Sequence, residues 1–129
     1  MTAIDTVAAL RALADYIEKH DVPRLLSAGR DAVGLDMHGK GDMARFLRWA
    51  DTLDGPVRLS AMPHKETHHL HARGKLPGTD FAADLTVIAD GQESVALAEE
   101  IGSDGLDIPV SRDLLEKVSG KTKATEEVL

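Results

Sequence analysis

Apolar residues recur at two different periods along this chain, and the change of period marks its elements. Leu10, Leu13, Ala14 and Ile17 fall at i, i+3, i+4 and i+7, the stripe of an amphipathic helix. Thr2 and Asp5 form a weak capping box before it, and Pro23 lies just beyond, so the spacing predicts a helix over residues 4–19. The clearest helix is predicted over 42–53. There Met43, Phe46, Leu47, Ala50 and Leu53 line one side, Asp42 is placed to cap, and Gly55-Pro56 stops the element. Between them, Ser27-Ala28-Gly29-Arg30 reads as a turn-like cluster flanked by short apolar runs. Val33, Leu35 and Met37 then alternate with Gly34, Asp36 and His38, which predicts a short hairpin with a strand over 32–37.

Period two dominates the middle of the chain. Strands are predicted over 57–62, 67–73 and 81–88. The links "PHKE" and "LPGT" are short and rich in turn residues, which predicts an antiparallel meander rather than strand–helix–strand crossovers. Farther on, "QESVALAEEIG" fits a short helix or an extended arm, and the structure of 90–110 stays open. "SRDLLEKVSG" reads as a small helix capped by Ser111, with Val110 as a staple residue, and "KTKATEEVL" shows no stable pattern.

Together these elements predict an α+β fold in the order α-β-β-α-β-β-β plus a short C-terminal helix. Two helices pack on one face of an antiparallel sheet of four to five strands. Residues 1–119 form one domain and 120–129 a flexible tail. Leu13, Ile17, Phe46, Leu47, Leu59, Leu70 and Leu85 are the expected core. Arg58, Ser60, His69, His71, Arg73, Asp84 and Thr86 fall on the other face of the sheet.

Composition narrows the classes. The 129 residues suit one domain, and with Trp49, Tyr16, Phe46 and Phe81 as the only aromatics the core is mostly aliphatic. No cysteine is present, which excludes disulfides, thiolate metal sites and cysteine nucleophiles and fits a cytoplasmic setting. No stretch approaches the roughly 20 apolar residues that span a bilayer, so no membrane role is expected. The net charge of −7 is uneven. Residues 24–75 hold nine Lys/Arg against six Asp/Glu; residues 76–129 hold four against twelve. That distribution argues against nucleic-acid binding by the whole surface and leaves open a local basic face of Arg45, Arg48, Arg58 and Arg73, or mimicry of nucleic acid by residues 76–111.

"AALRALADYIEKHDVP", followed by a "GR" turn before a strand and a helix ending in "LDG" before a meander, resembles a group of small uncharacterised proteins of actinobacteria and their phages and mobile elements. The likeness covers residues 8 to 90 in order of elements. This chain departs from the pattern in a shorter first hairpin and in its histidine cluster. The resemblance implies a bacterial or phage accessory protein in the cytoplasm and carries no activity with it.

The histidine cluster is the chief candidate for chemistry. "MPHKETHHLHARGK" places four histidines in eight positions. On a strand His69 and His71 share a face about 7 Å apart, a spacing that can chelate an ion such as zinc, with His64 folding back from the turn and Asp84 or Glu66 as a carboxylate. His68 points the other way, toward the helices. Against that stands the expectation that exposed polar strand faces need polar residues, and that protonation would only add charge beside Arg58 and Arg73. "GLDMHGKGD" could offer backbone amides to a phosphate but matches no phosphate-loop spacing, and no serine sits in a nucleophile elbow. No catalytic residues and no resident cofactor are assigned. Trp49, one position off its helix stripe, is either core rim or an interface anchor. The sequence thus points to a non-enzymatic binding or regulatory protein with a protein partner, a second copy of the chain included, with Trp49, Arg58 and Arg73 as interaction candidates. Its alternatives are a metal site on His64, His69 and His71 and a nucleic-acid-directed protein.

Overall fold

Alternation over residues 67–75 and 82–89 sends the apolar side chains to one face, apart from Ala82 and Ile88, and helices cover that face. A computed structural model describes residues 3–20, 25–30, 34–39, 42–102 and 106–128. The elements run α1 (Ala3–His20), β1 (Leu25–Arg30), β2 (Leu35–Gly39), α2 (Met43–Ala50), β3 (Asp54–His64), β4 (Thr67–Lys75), β5 (Ala82–Ala89), α3 (Gly91–Ile101), β6 (Ile108–Pro109) and α4 (Arg112–Val128). One sheet contains all six strands in the order β1-β2-β5-β4-β3-β6.

The α+β class holds, but the sheet is mixed. β3, β4 and β5 form the expected antiparallel meander, whereas β2 runs parallel to β5. The reason is topological. The link from β2 to β3 contains α2, and a strand–helix–strand link is a crossover that leaves its two strands pointing the same way. The meander then returns β5, itself parallel to β3, into the place beside β2. A second correction concerns the first hairpin. Ser27–Arg30 is strand, not turn: Ser27, Ala28, Gly29 and Arg30 pair with His38, Met37, Asp36 and Leu35. The expected Thr2 cap and the Pro23 stop lie outside the described residues. The undecided segment is helical (α3), Ile108–Pro109 adds a short strand beside Ser60 and Ala61, and α4 stays helical to Val128 across the segment expected to be a tail. Among the described residues there are thus four helices and six strands, not two main helices on four or five strands.

Phe46, Met43, Leu35, Met37, Leu70, Leu85, Leu97 and Leu115 are fully buried between helices and sheet. Of the expected core, Leu13, Phe46, Leu47, Leu70 and Leu85 are buried, and Ile17 and Leu59 pack against them half-buried. Side-chain ties fix the helices. Asp42 caps α2 through the Arg45 N–H at 2.9 Å. The Glu93 carboxylate of α3 accepts from the Met43 N–H at 3.0 Å, placing a negative charge at the positive end of α2. Ser111 caps α4 through the Leu114 N–H at 3.1 Å, and Arg112 donates to Asp51 at 2.9 Å, joining α4 to the end of α2. Tyr16 hydrogen-bonds Thr52, which ties α1 to the same end. No helix among the described residues is long and apolar enough to cross a membrane.

Phe46 has no exposed surface and sits at the centre of this layer. Phe46→Ala is expected to lower unfolding free energy by about 3–5 kcal/mol through lost burial and the cavity left behind. Urea unfolding followed by the fluorescence of Trp49 measures it, and a loss below about 1 kcal/mol would contradict the central placement.

Candidate functional site

Pairing register decides what meets on the uncovered face. Across the strands, Asp36 neighbours Asp84, Asp84 neighbours Arg73, and Arg73 neighbours Arg58. One row along, His38 neighbours Thr86, Thr86 neighbours His71, and His71 neighbours Ser60. The next row holds Ile88, His69 and Met62, and the last holds Thr67 and His64. The face is therefore graded, with charged pairs at one end and histidines toward the β3–β4 turn.

Its centre is a hydrogen-bonded cluster. His71 Nδ1 lies 3.0 Å from Thr86 Oγ1 and 3.3 Å from Asp84 Oδ1. Arg73 donates through Nε to Asp84 Oδ2 at 3.4 Å, and through Nη1 to Asp107 Oδ2 at 3.1 Å and Ser60 Oγ at 3.3 Å. Burial pushes the Asp84 carboxyl upward, but the hydrogen bond and charge of His71, with Arg73, outweigh it and hold the group below the usual carboxylate range. Asp107 follows the same balance, with Arg73 and Ser60 lowering it. Burial opposes the charge on Arg73, and its two carboxylates more than compensate. Ser60 and Thr86 are buried within this cluster although they lie on the uncovered face.

The histidines divide as parity requires. His69 and His71 share the uncovered face with Thr67 and Arg73. His64 and His69 approach with ring centroids 5.3 Å apart, while His71 is turned toward Asp84. The predicted strand ends at Met37, but β2 runs on to Gly39 and brings His38 to the same face. Burial lowers the pKa of His69, and the charges of His64, His71 and His38 lower it further. Among the described residues no three His, Asp or Glu side chains converge as a metal-binding group.

His68 points to the helices and is 2 % exposed. Its Nδ1 lies 2.7 Å from Ser94 Oγ on α3, and its Nε2 is buried without a hydrogen bond among the described residues. Burial depresses its pKa, opposed only weakly by the nearby Gly102 backbone.

The remaining candidates are placed as follows. Arg58 is exposed beside Arg73 on the uncovered face. Trp49 is 5 % exposed and lies over Gly39, where a Cβ would come 2.5 Å from its ring, so it is core and presents no anchor to a partner. The anion position at the N-terminus of α2 is filled by Glu93. Asp107, not among the sequence candidates, joins the cluster because β6 docks against β3; the apolar Ile108-Pro109-Val110 that follows it was the available signal.

A hollow of about 480 Å³ opens at the charged end, lined by Gly34, Asp36, Pro56, Arg58, Arg73 and Ala82 among others. Comparison with known protein families, with characterised proteins and with solved structures found no match.

The buried histidine sets an acid limit on the fold. The folded state holds His68 neutral, whereas the unfolded chain takes up its proton near pH 6.5. This contribution is full above pH 6.5 and falls as pH drops below it, the lowered His69 acting in the same direction, while the lowered Asp84 and Asp107 withdraw stability only near pH 4 and below. Unfolding free energy measured from pH 7.5 to 5 should decline in the parent protein and decline less in His68→Gln. Equal slopes in the two proteins would show that His68 does not carry the effect.

Proposed function

We propose that this protein is a non-enzymatic binding or regulatory module that acts through a protein partner met by the uncovered sheet face. One observation carries the reading. The polar groups of that face, His71, Thr86, Asp84, Arg73, Ser60 and Asp107, satisfy one another instead of converging on a point where a reacting atom would sit. Such a cluster offers a fixed pattern of donors and acceptors at little ordering cost, which suits recognition. Ile88, 47 % exposed, and Met62 flank His69 and give the face apolar contact area at its middle. The resemblance of the first helix to actinobacterial and phage proteins supports a cytoplasmic accessory role.

A metal site is the second reading. Two imidazoles that share a tetrahedral ion at about 2 Å hold their ring centres roughly 5 Å apart, close to the 5.3 Å between His64 and His69. A carboxylate on Nδ1, as at His71, leaves the other ring nitrogen to a metal.

Two measurements test these readings. A photo-crosslinking residue at position 88 should give one discrete adduct in an actinobacterial lysate, while the same residue at exposed position 95 on α3 should give none. Adducts from both positions, or from neither, would sink the sheet-face reading. In untagged protein, calorimetric titration with zinc should show no stoichiometric binding. One equivalent bound, and lost on His64→Ala or His69→Ala, would move the metal reading to first place.

A further inference from the structure

The hollow at the charged end is built by backbone constraints. β3 bulges between Asp54 and Arg58, so the strand leaves β4 there. Gly55 at φ 80° and the donor-less Pro56 make that departure possible. On the opposite wall Gly34 approaches β5 so closely that a Cβ would lie 2.6 Å from the Ala82 carbonyl oxygen. The space left, about 480 Å³, is within the range of small-molecule sites, and Pro56 and Ala82 give it apolar lining.

The charges around it are unevenly satisfied. Arg73 is held through Nε and Nη1 by Asp84, Ser60 and Asp107. Asp54 accepts from the Gly78 N–H at 2.9 Å, and Lys75 faces Asp80. Arg58 makes no hydrogen bond or ion pair among the described residues, although it lines the hollow directly opposite Arg73. Like charges opposite one another on neighbouring strands destabilise a sheet. A carboxylate seated between them would relieve that repulsion and match the planar guanidinium with two parallel hydrogen bonds. Asp36 and Asp84 on the far wall disfavour a second negative charge.

We infer that this hollow is a binding site for a small monocarboxylate with a short apolar body, its carboxylate on Arg58 and the free edge of Arg73, its body against Pro56 and Ala82. The site is independent of the partner met by the rest of the face.

NMR titration of the intact protein with benzoate and hexanoate at neutral pH tests it, with benzyl alcohol and phenyl phosphate as comparisons. Saturable shifts at the amides of Gly34, Gly74, Ala82 and Asp84 are expected with at least one of the two carboxylates. Arg58→Gln should weaken binding at least tenfold. Ala82→Leu, an exposed position that would fill the hollow, should abolish it, and Arg48→Gln on exposed α2 surface should leave it unchanged. No saturable shift with either carboxylate by about 10 mM, a Kd unchanged by Arg58→Gln, or equal affinity for benzyl alcohol would overturn the site. Tighter binding of phenyl phosphate would overturn the monocarboxylate assignment.

Discussion

The register between β4 and β5 fixes both faces of the sheet at once. Leu70 stands opposite Val87 and Ala72 opposite Leu85, under the helices; His71 stands opposite Thr86 and Arg73 opposite Asp84, on the uncovered side. A slip of one residue would turn one of the two strands over. It would bury Arg73 and expose Leu70 if β4 turned, or bury Asp84 and expose Leu85 if β5 turned. With so few aromatics, the core is filled by small and medium aliphatic side chains that leave little slack in packing. The same apolar parity that closes the core therefore also assembles the polar cluster, with no separate device for it.

That division explains what the sequence discloses. The strict alternation of 67–73 and 81–88 made the meander readable, and with it the membership of His69, His71, Arg73, Asp84 and Thr86 on one face and the opposite direction of His68. The parallel neighbour of β5 was not readable, because Leu35 and Met37 alternate in the same way whichever strand lies beside them. His38 and Asp107 reach the cluster only through that placement of β2 and through the docking of β6. Trp49 was ambiguous for a related reason. Its burial depends on the missing side chain of Gly39, a residue of another element. The hollow was invisible for the same cause, since it closes only where β2 lies beside β5.

Electrostatically the chain is less divided than its charge counts suggest. The acidic C-terminal half lends Asp84 and Asp107 to Arg73 of the basic central part, and Glu100 to Lys117 within its own helices. Glu93 faces the positive end of α2. The central basic residues are thus partly neutralised by the fold, which leaves Arg58 distinct from Arg73 although the two stand side by side in the sheet.

The parallel pairing of β2 with β5 also has a history in time. Leu35 meets Ala83, and Gly39 meets Val87, across more than a third of the chain. At roughly 5–20 residues per second, a ribosome releases the β1–β2 hairpin several seconds before the strand that seals it. During that interval the hairpin cannot borrow the meander for support, and an isolated two-stranded hairpin is only marginally stable in water. The inner edge of β2 is then the open hydrogen-bonding surface of the nascent chain, and a translational pause before Ala89 would prolong that exposure.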